Sequence, residues 1–153
     1  MSAGAYLTDL ASGSMHGPAL PLDGVYFGFS DSAFYLRLDF NPAFLRSRPE
    51  FELRLGLDGA SGLRLQAQMG RRTLRSIRLW KNEAPVSHES MTDSLEIAFG
   101  SVFELRADHT LVGAKPDEQL NLQVSVWENA VPVQVVPQEG WLNLRLRVEP
   151  STW

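Results

Sequence analysis

Chemistry in water needs groups that move a proton, attack an electrophile or hold a metal, and this sequence offers few of them at a usable spacing. Its histidines, His16, His88 and His109, show no HxxxH-type ligand spacing. All three fall in stretches that read as loop, where an exposed, solvated role is expected. Ser12, Ser14 and Ser61 sit near glycines, but no GxSxG elbow presents a serine nucleophile. Cysteine is absent, which removes disulfides, thiolate ligands and Cys nucleophiles. GxGxxG and phosphate-binding loops are also missing. The eighteen acids could supply a glycosidase pair only if two faced one cleft at a defined separation. Most occupy outward strand positions or loops, where solvation explains them. The acidic turns near Asp31 and Asp58 do not resemble an EF-hand loop. Met15, Met69 and Met91 show no pairing with the histidines that would hold a haem. The expectation is a chain with no catalytic residue, no metal site and no cofactor.

What remains is aromatic. Successive side chains of a strand face opposite sides, so in "NLQVSVWENAVPVQVVPQEGWLNLRLRVEP" (121–150) Leu122, Val124 and Val126 share a face while Trp127 joins Gln123 and Ser125. Likewise Leu142, Leu144, Leu146 and Val148 line one face, and Trp141 lines up with Asn143, Arg145 and Arg147. Trp80 repeats the pattern beside Ser76 and Arg78, opposite in parity to Ile77 and Leu79. Large apolar side chains on polar faces ask for a partner.

The elements that position them are short alternating runs. Val25, Phe27 and Phe29, then Phe34, Leu36, Leu38 and Phe40, predict two strands joined by a Ser30-Asp31-Ser32 turn. After the breaker NPAFLRSRPE, Phe51 to Leu57 and Leu63 to Met69 predict a second hairpin, and a Gly70-Arg71-Arg72 turn leads to a fifth strand. Residues 81–93 read as loop and 95–99 as strand; 100–119 is the least periodic stretch, with room for one helical turn around Val102 to Leu105. With Asn129-Ala130 as a turn, Val131, Val133 and Val135 face inward opposite Val126 and Val124. About nine strands with one apolar face each predict an all-β, antiparallel β-sandwich with at most one short helical turn. The organisation expected is a lead-in segment at 1–20, the sandwich at 21–150 and a tail at 151–153.

At 153 residues one domain buries enough core to stand without staples. A net charge of −4 gives no positive field for DNA, RNA or anionic lipid. The first residues, MSAGAYLTDLASGSMHG, show neither a basic leader nor a signal-length apolar stretch, and no run approaches a membrane span. A soluble, cytoplasmic protein without nucleic-acid or membrane partners is expected.

Three explanations of the tryptophans compete. One outer face carries Trp80, Trp127 and Trp141, with Tyr26 and Tyr35, as a platform for a flat ligand such as a sugar ring, whose C–H face is apolar and whose edge is hydroxylated. Or that face packs on another domain or chain, which suits twelve Arg against two Lys. Or loops cover it and the rings are ordinary core.

"SGSMHGPALPLDGVYFGFSDSAFYLRLDF" (12–40) resembles the start of the β-sandwich that follows the catalytic barrel in bacterial α-amylase-like proteins of glycoside hydrolase family 57. There an SMH-type stretch leads into a strand pair of the form "YYG-DDENLYLRL", and Tyr26 to Asp31 and Phe34 to Leu38 take those places. "DSLEIAFGSVFEL" is similar to the family's "LEVAIPL" strand, and "LNLQVSVWENAVPVQVVPQEGWLNL" to its closing hairpin. Asn129-Ala130 stands where the family usually has Asp-Gly, and Gly17 where an Arg commonly follows the SMH stretch. The resemblance implies a non-catalytic C-terminal accessory domain, because the acids of hydrolysis belong to the barrel. Its implied partners are that barrel and α-glucan, with homodimerisation through the aromatic face if the barrel is absent. Trp127 and Trp141 are the leading contact residues, followed by Trp80, Tyr35 and Tyr26.

Overall fold

Ser30 turns the chain back on itself. Its Oγ accepts from the Ala33 N–H at 3.1 Å, and its own N–H donates to the Ala33 carbonyl at 2.9 Å. This closes the hairpin between β2 (Leu22–Phe29) and β3 (Ala33–Phe40). A computed structural model describes residues 2–7, 20–59, 62–113 and 118–145. Within them the first sheet runs β1 (Ser2–Leu7), β2, β3, β9 (Val102–Asp108), β8 (Leu95–Phe99). The second runs β11 (Val131–Val136), β10 (Gln119–Glu128), β4 (Glu50–Asp58), β5 (Gly62–Gly70), β6 (Thr73–Lys81), β7 (Ala84–Pro85), and β12 (Leu142–Arg145) pairs with the other half of β10 beside β11. Every pairing is antiparallel. The all-β sandwich is therefore observed.

The two sheets share one core. Phe40 of the first and Phe51 of the second lie 5.3 Å apart, and Phe99 stands edge-on to Phe51 at 6.1 Å. Phe103, Leu38, Leu53, Leu120 and Val124 are fully buried. A void of about 20 Å³ between Phe34, Leu36, Leu65 and Leu122 has room for about one water, so the inner faces mesh closely.

Three two-residue turns link strands of the second sheet: Arg71-Arg72, Asn82-Glu83 and Asn129-Ala130. Both central residues have positive φ in each case, from 48° to 66°. These are type I′ turns, whose twist matches the flanking strands and which normally draw on Asn and Gly. Ala130 has neither the freedom of glycine nor the side-chain amide of asparagine to ease the left-handed conformation.

Several expectations are corrected. Residues 102–108 form a central strand, not a helical turn; Phe103, Leu105 and Ala107 point inward while Glu104 is exposed. The helical turn of that stretch lies further on, at α3 (His109–Val112). Two more short helices occur where loop or breaker is expected. In α1 (Pro42–Ser47) Asn41 Oδ1 caps the Ala43 N–H at 2.8 Å and Pro42 opens the first turn. In α2 (His88–Ser94) Ser87 is the cap. Part of the expected lead-in, Ser2–Leu7, is an edge strand paired with β2. The inward set Val131, Val133, Val135 is also wrong. A bulge between Val126 and Trp127 shifts the register so that Gln134 faces Val126 and Val136 faces Val124. Val131 and Val133 are left 58% and 37% exposed at the sheet edge.

The inward Gln134 joins the sheets. Its Oε1 accepts from the Leu22 N–H at 2.7 Å, and its Nε2 donates to the Leu22 carbonyl at 3.4 Å. His109 is not an exposed loop residue either: its Nε2 donates to the Ser30 carbonyl at 2.7 Å and its ring stacks on Phe29. His16, Met15, the inward set Leu146 and Val148, and the tail at 151–153 lie outside the described residues.

Candidate functional site

The outer face of the second sheet is laid out by cross-strand register. One row is Trp127, Glu52, Gln68, Ser76; the next is Ser125, Arg54, Gln66, Arg78; the third is Gln123, Gly56, Arg64, Trp80. Trp141 directly precedes β12 and reaches over β10 into the third row. All three tryptophans thus share the outer face that their parity predicts.

Two of them are held by the sheet itself. The Arg54 guanidinium lies 3.7 Å from the centre of the Trp127 ring, a cation–π stack. Arg54 is steadied there by an ion pair with Glu52, which also accepts from Gln68 Nε2 at 2.7 Å. The Trp127 indole N–H donates to Ser125 Oγ at 2.8 Å. Trp141 lies on Gly56: a Cβ built there would stand 3.2 Å from its Cη2 and Cζ3 atoms. Gln123 Nε2 fixes the approach by donating to the Gly140 carbonyl at 3.2 Å, and Gly140 takes φ +73°. Arg64 passes near the Trp141 ring at 5.6 Å and is tied to Asp58 at 2.6 Å. Both rings are half-buried.

Trp80 differs. It lines a depression of about 860 Å³ on the same face, together with Arg54, Arg64, Gln66, Asp58 and Asn82. In its own row Arg64 stands between Trp80 and Gly56, which Trp141 covers. Guanidinium, amide and carboxylate groups ring an aromatic wall. That set can hydrogen-bond hydroxyls in either direction while the indole meets a C–H face.

Tyr26 and Tyr35 are not part of this platform. They belong to β2 and β3, on the outer face of the first sheet, with the whole core between them and the tryptophans. There Tyr35 stands opposite Arg106, whose guanidinium reaches its hydroxyl and, at 2.9 Å, Asp108. Arg37 lies 5.1 Å over Tyr26 and is bidentate to Asp39 at 2.7 and 3.0 Å. One five-ring platform is therefore excluded; the sequence shows parity, but sheet membership depends on the distant pairing of β3 with β9.

Among the described residues no group of three or more His, Asp or Glu is placed to hold a metal, and no helix is long and apolar enough to cross a membrane. Burial, then the nearby Asp39 charge, raises the Asp23 carboxyl above its ordinary value of 3.8. Asp23 sits at the bulge between Leu22 and Gly24, beside the Gln134 link. Comparison with known proteins finds no matching family model, curated protein or solved structure.

Proposed function

We propose that this chain is a non-catalytic accessory domain of an α-amylase-like glycoside hydrolase of family 57 and that it binds α-glucan on the outer face of its second sheet. One observation carries the reading: the depression beside Trp80, walled by an indole and rimmed by Arg54, Arg64, Gln66, Asp58 and Asn82. A pyranose needs that combination, an apolar plate with donors and acceptors around it. The resemblance of residues 12–40 and of the closing strands to the family's sandwich supports the same reading.

Trp80 is the stacking residue. Trp127 and Trp141, the leading candidates from sequence, act as supports. Trp127 already stacks on Arg54, and Trp141 fills the space over Gly56. Affinity is modest. At about 0.3 kcal/mol per heavy atom, a disaccharide of about 23 such atoms has a ceiling near 7 kcal/mol, or about 10 μM. An open face binds more weakly, in the sub-millimolar to millimolar range, and longer chains gain by engaging more rings. Electrophoresis through gels containing soluble starch tests the proposal. The parent is expected to be retarded relative to a starch-free gel and Trp80→Ala to be retarded less; equal mobility of the two proteins with and without starch refutes it.

A second reading has its own observation. The edge strand β11 leaves Val131 and Val133 exposed, an apolar patch of the kind that meets another domain. On this reading the sandwich packs against the catalytic barrel and stabilises it without touching sugar. In isolation that patch would pair two copies of the chain, so a concentration-dependent dimer abolished by Val131→Lys would favour it.

A further inference from the structure

The outer face of the first sheet carries a second trough, of about 760 Å³, that the glucan platform leaves unused. It crosses β2, β3, β9 and β8, and register lays out its floor. One row is Gly28, Tyr35, Arg106, Glu96; the other is Tyr26, Arg37, Glu104, Ala98. The small residues stand at opposite ends of the two rows. Ala98, exposed, leaves room beside Glu104.

We propose that this trough is a second glucan-binding face, which takes a neutral α-linked chain across the strands. The identity of the ligand rests on the function proposed above; the existence of a separate site does not. Three features select the ligand. Tyr35 is 36% exposed, and an exposed tyrosine on a flat strand is a stacking plate. Around it cationic and anionic side chains alternate along both rows, so a hydroxyl between them can donate to Glu96 or Glu104 and accept from Arg37 or Arg106. Finally, the charge is wrong for an anion. Arg37 and Arg106 are each already paired, with Asp39 and Asp108, and Glu96 and Glu104 leave the face net acidic. Phosphate, nucleic acid and sulfated polysaccharide are repelled, while an uncharged polyol is not.

Size agrees. With strands about 4.8 Å apart, the four strands span about 14 Å from β2 to β8, room for two or three pyranose rings. The two faces point away from each other, so no single short oligosaccharide bridges them. The domain would hold two chains at once and gain affinity on a glucan particle by avidity.

Amide and indole NMR signals of the full chain, titrated with maltoheptaose, test this. The parent should show saturable shifts on β3, β9 and β8 that persist unchanged in Trp80→Ala. Tyr35→Ala removes the plate, and Ala98→Arg fills the open end from an exposed position that does not threaten folding. Each should weaken binding at this face at least tenfold while the signals around Trp80 respond as before. Shifts confined to the second sheet would overturn the second site and leave the proposed function standing. Shifts confined to the first sheet would do the reverse. Silence on both faces up to about ten millimolar, where even a weak open platform responds, would sink both. Shifts on the first sheet that neither substitution diminishes would place the ligand elsewhere and overturn the proposal.

Discussion

Replacing Gly56 by valine asks directly whether Trp141 belongs to the sheet. Gly56 faces outward in the middle of β4, where glycine is a poor strand residue, and Trp141 covers it. A Cβ at this position already stands 3.2 Å from two atoms of the indole and 3.5 Å from Arg64 Nη1. Alanine therefore asks Trp141 to shift by only a few tenths of an ångström. Valine adds two methyl groups and forces the ring off. A tryptophan buries about 150–250 Å²; losing half of that at about 25 cal/mol per Å² costs ~2.5 kcal/mol. Valine returns up to about 1 kcal/mol through its strand preference, so the net loss is about 1.5 kcal/mol. At about 2–4 °C per kcal/mol for a domain of this size, Tm falls by roughly 3–6 °C, and emission shifts to the red as the indole enters water. The background decides the interpretation. In Trp141→Ala nothing covers Gly56, and Gly56→Val becomes stabilising by up to about 1 kcal/mol, a sign reversal that urea denaturation of the four proteins of the cycle reads out. An equal loss in both backgrounds would refute the packing of Trp141 on Gly56.

Ala130→Gly removes a side chain from a left-handed position and is expected to stabilise by about 0.5–1 kcal/mol, seen as a higher urea midpoint at unchanged slope. Gln134→Ala deletes both hydrogen bonds that join β11 to β2 and should cost about 1–3 kcal/mol by the same assay. Asp23→Asn should stabilise at pH 7 and have no such effect at pH 3. The folded-state carboxyl is raised above its ordinary 3.8, so its contribution is fully present below that value and is lost as pH rises through the folded one. A gain of the same size at both pH values would contradict the assignment.

Hairpins with strict alternation are legible in the sequence, because one buried face imposes a period of two. Phe51 to Leu57 against Leu63 to Met69 is the clearest case, and its register runs without a break. Strand β9 escapes because its inward set ends in the small Ala107 and its outward set begins with the apolar Val102, which blurs the contrast. The bulge in β11 leaves no trace in the sequence: a run of valines is compatible with either face, and only the pairing with β10 decides that Gln134 goes inward. The helices α1 and α2 carry legible start signals, Asn41-Pro42 and Ser87, but one or two turns are too short for a period to emerge. In the site, parity places Trp80, Trp127 and Trp141 correctly on an outer face. It does not separate Tyr26 and Tyr35 from them, since strand order is a long-range property. Nor does it rank the tryptophans, because what withdraws Trp127 and Trp141 is a guanidinium and a glycine on strands distant in sequence.

Glucan stacking on Trp80 is tested most directly by the intrinsic tryptophan fluorescence of the chain during titration with maltoheptaose, with Trp80→Ala, Trp127→Ala and Trp141→Ala measured alongside. The expected result is a saturable change in the parent that Trp80→Ala abolishes while its fold survives, and that Trp127→Ala and Trp141→Ala retain with reduced affinity. A flat titration of the parent up to about ten millimolar, or a full response in Trp80→Ala, would contradict it.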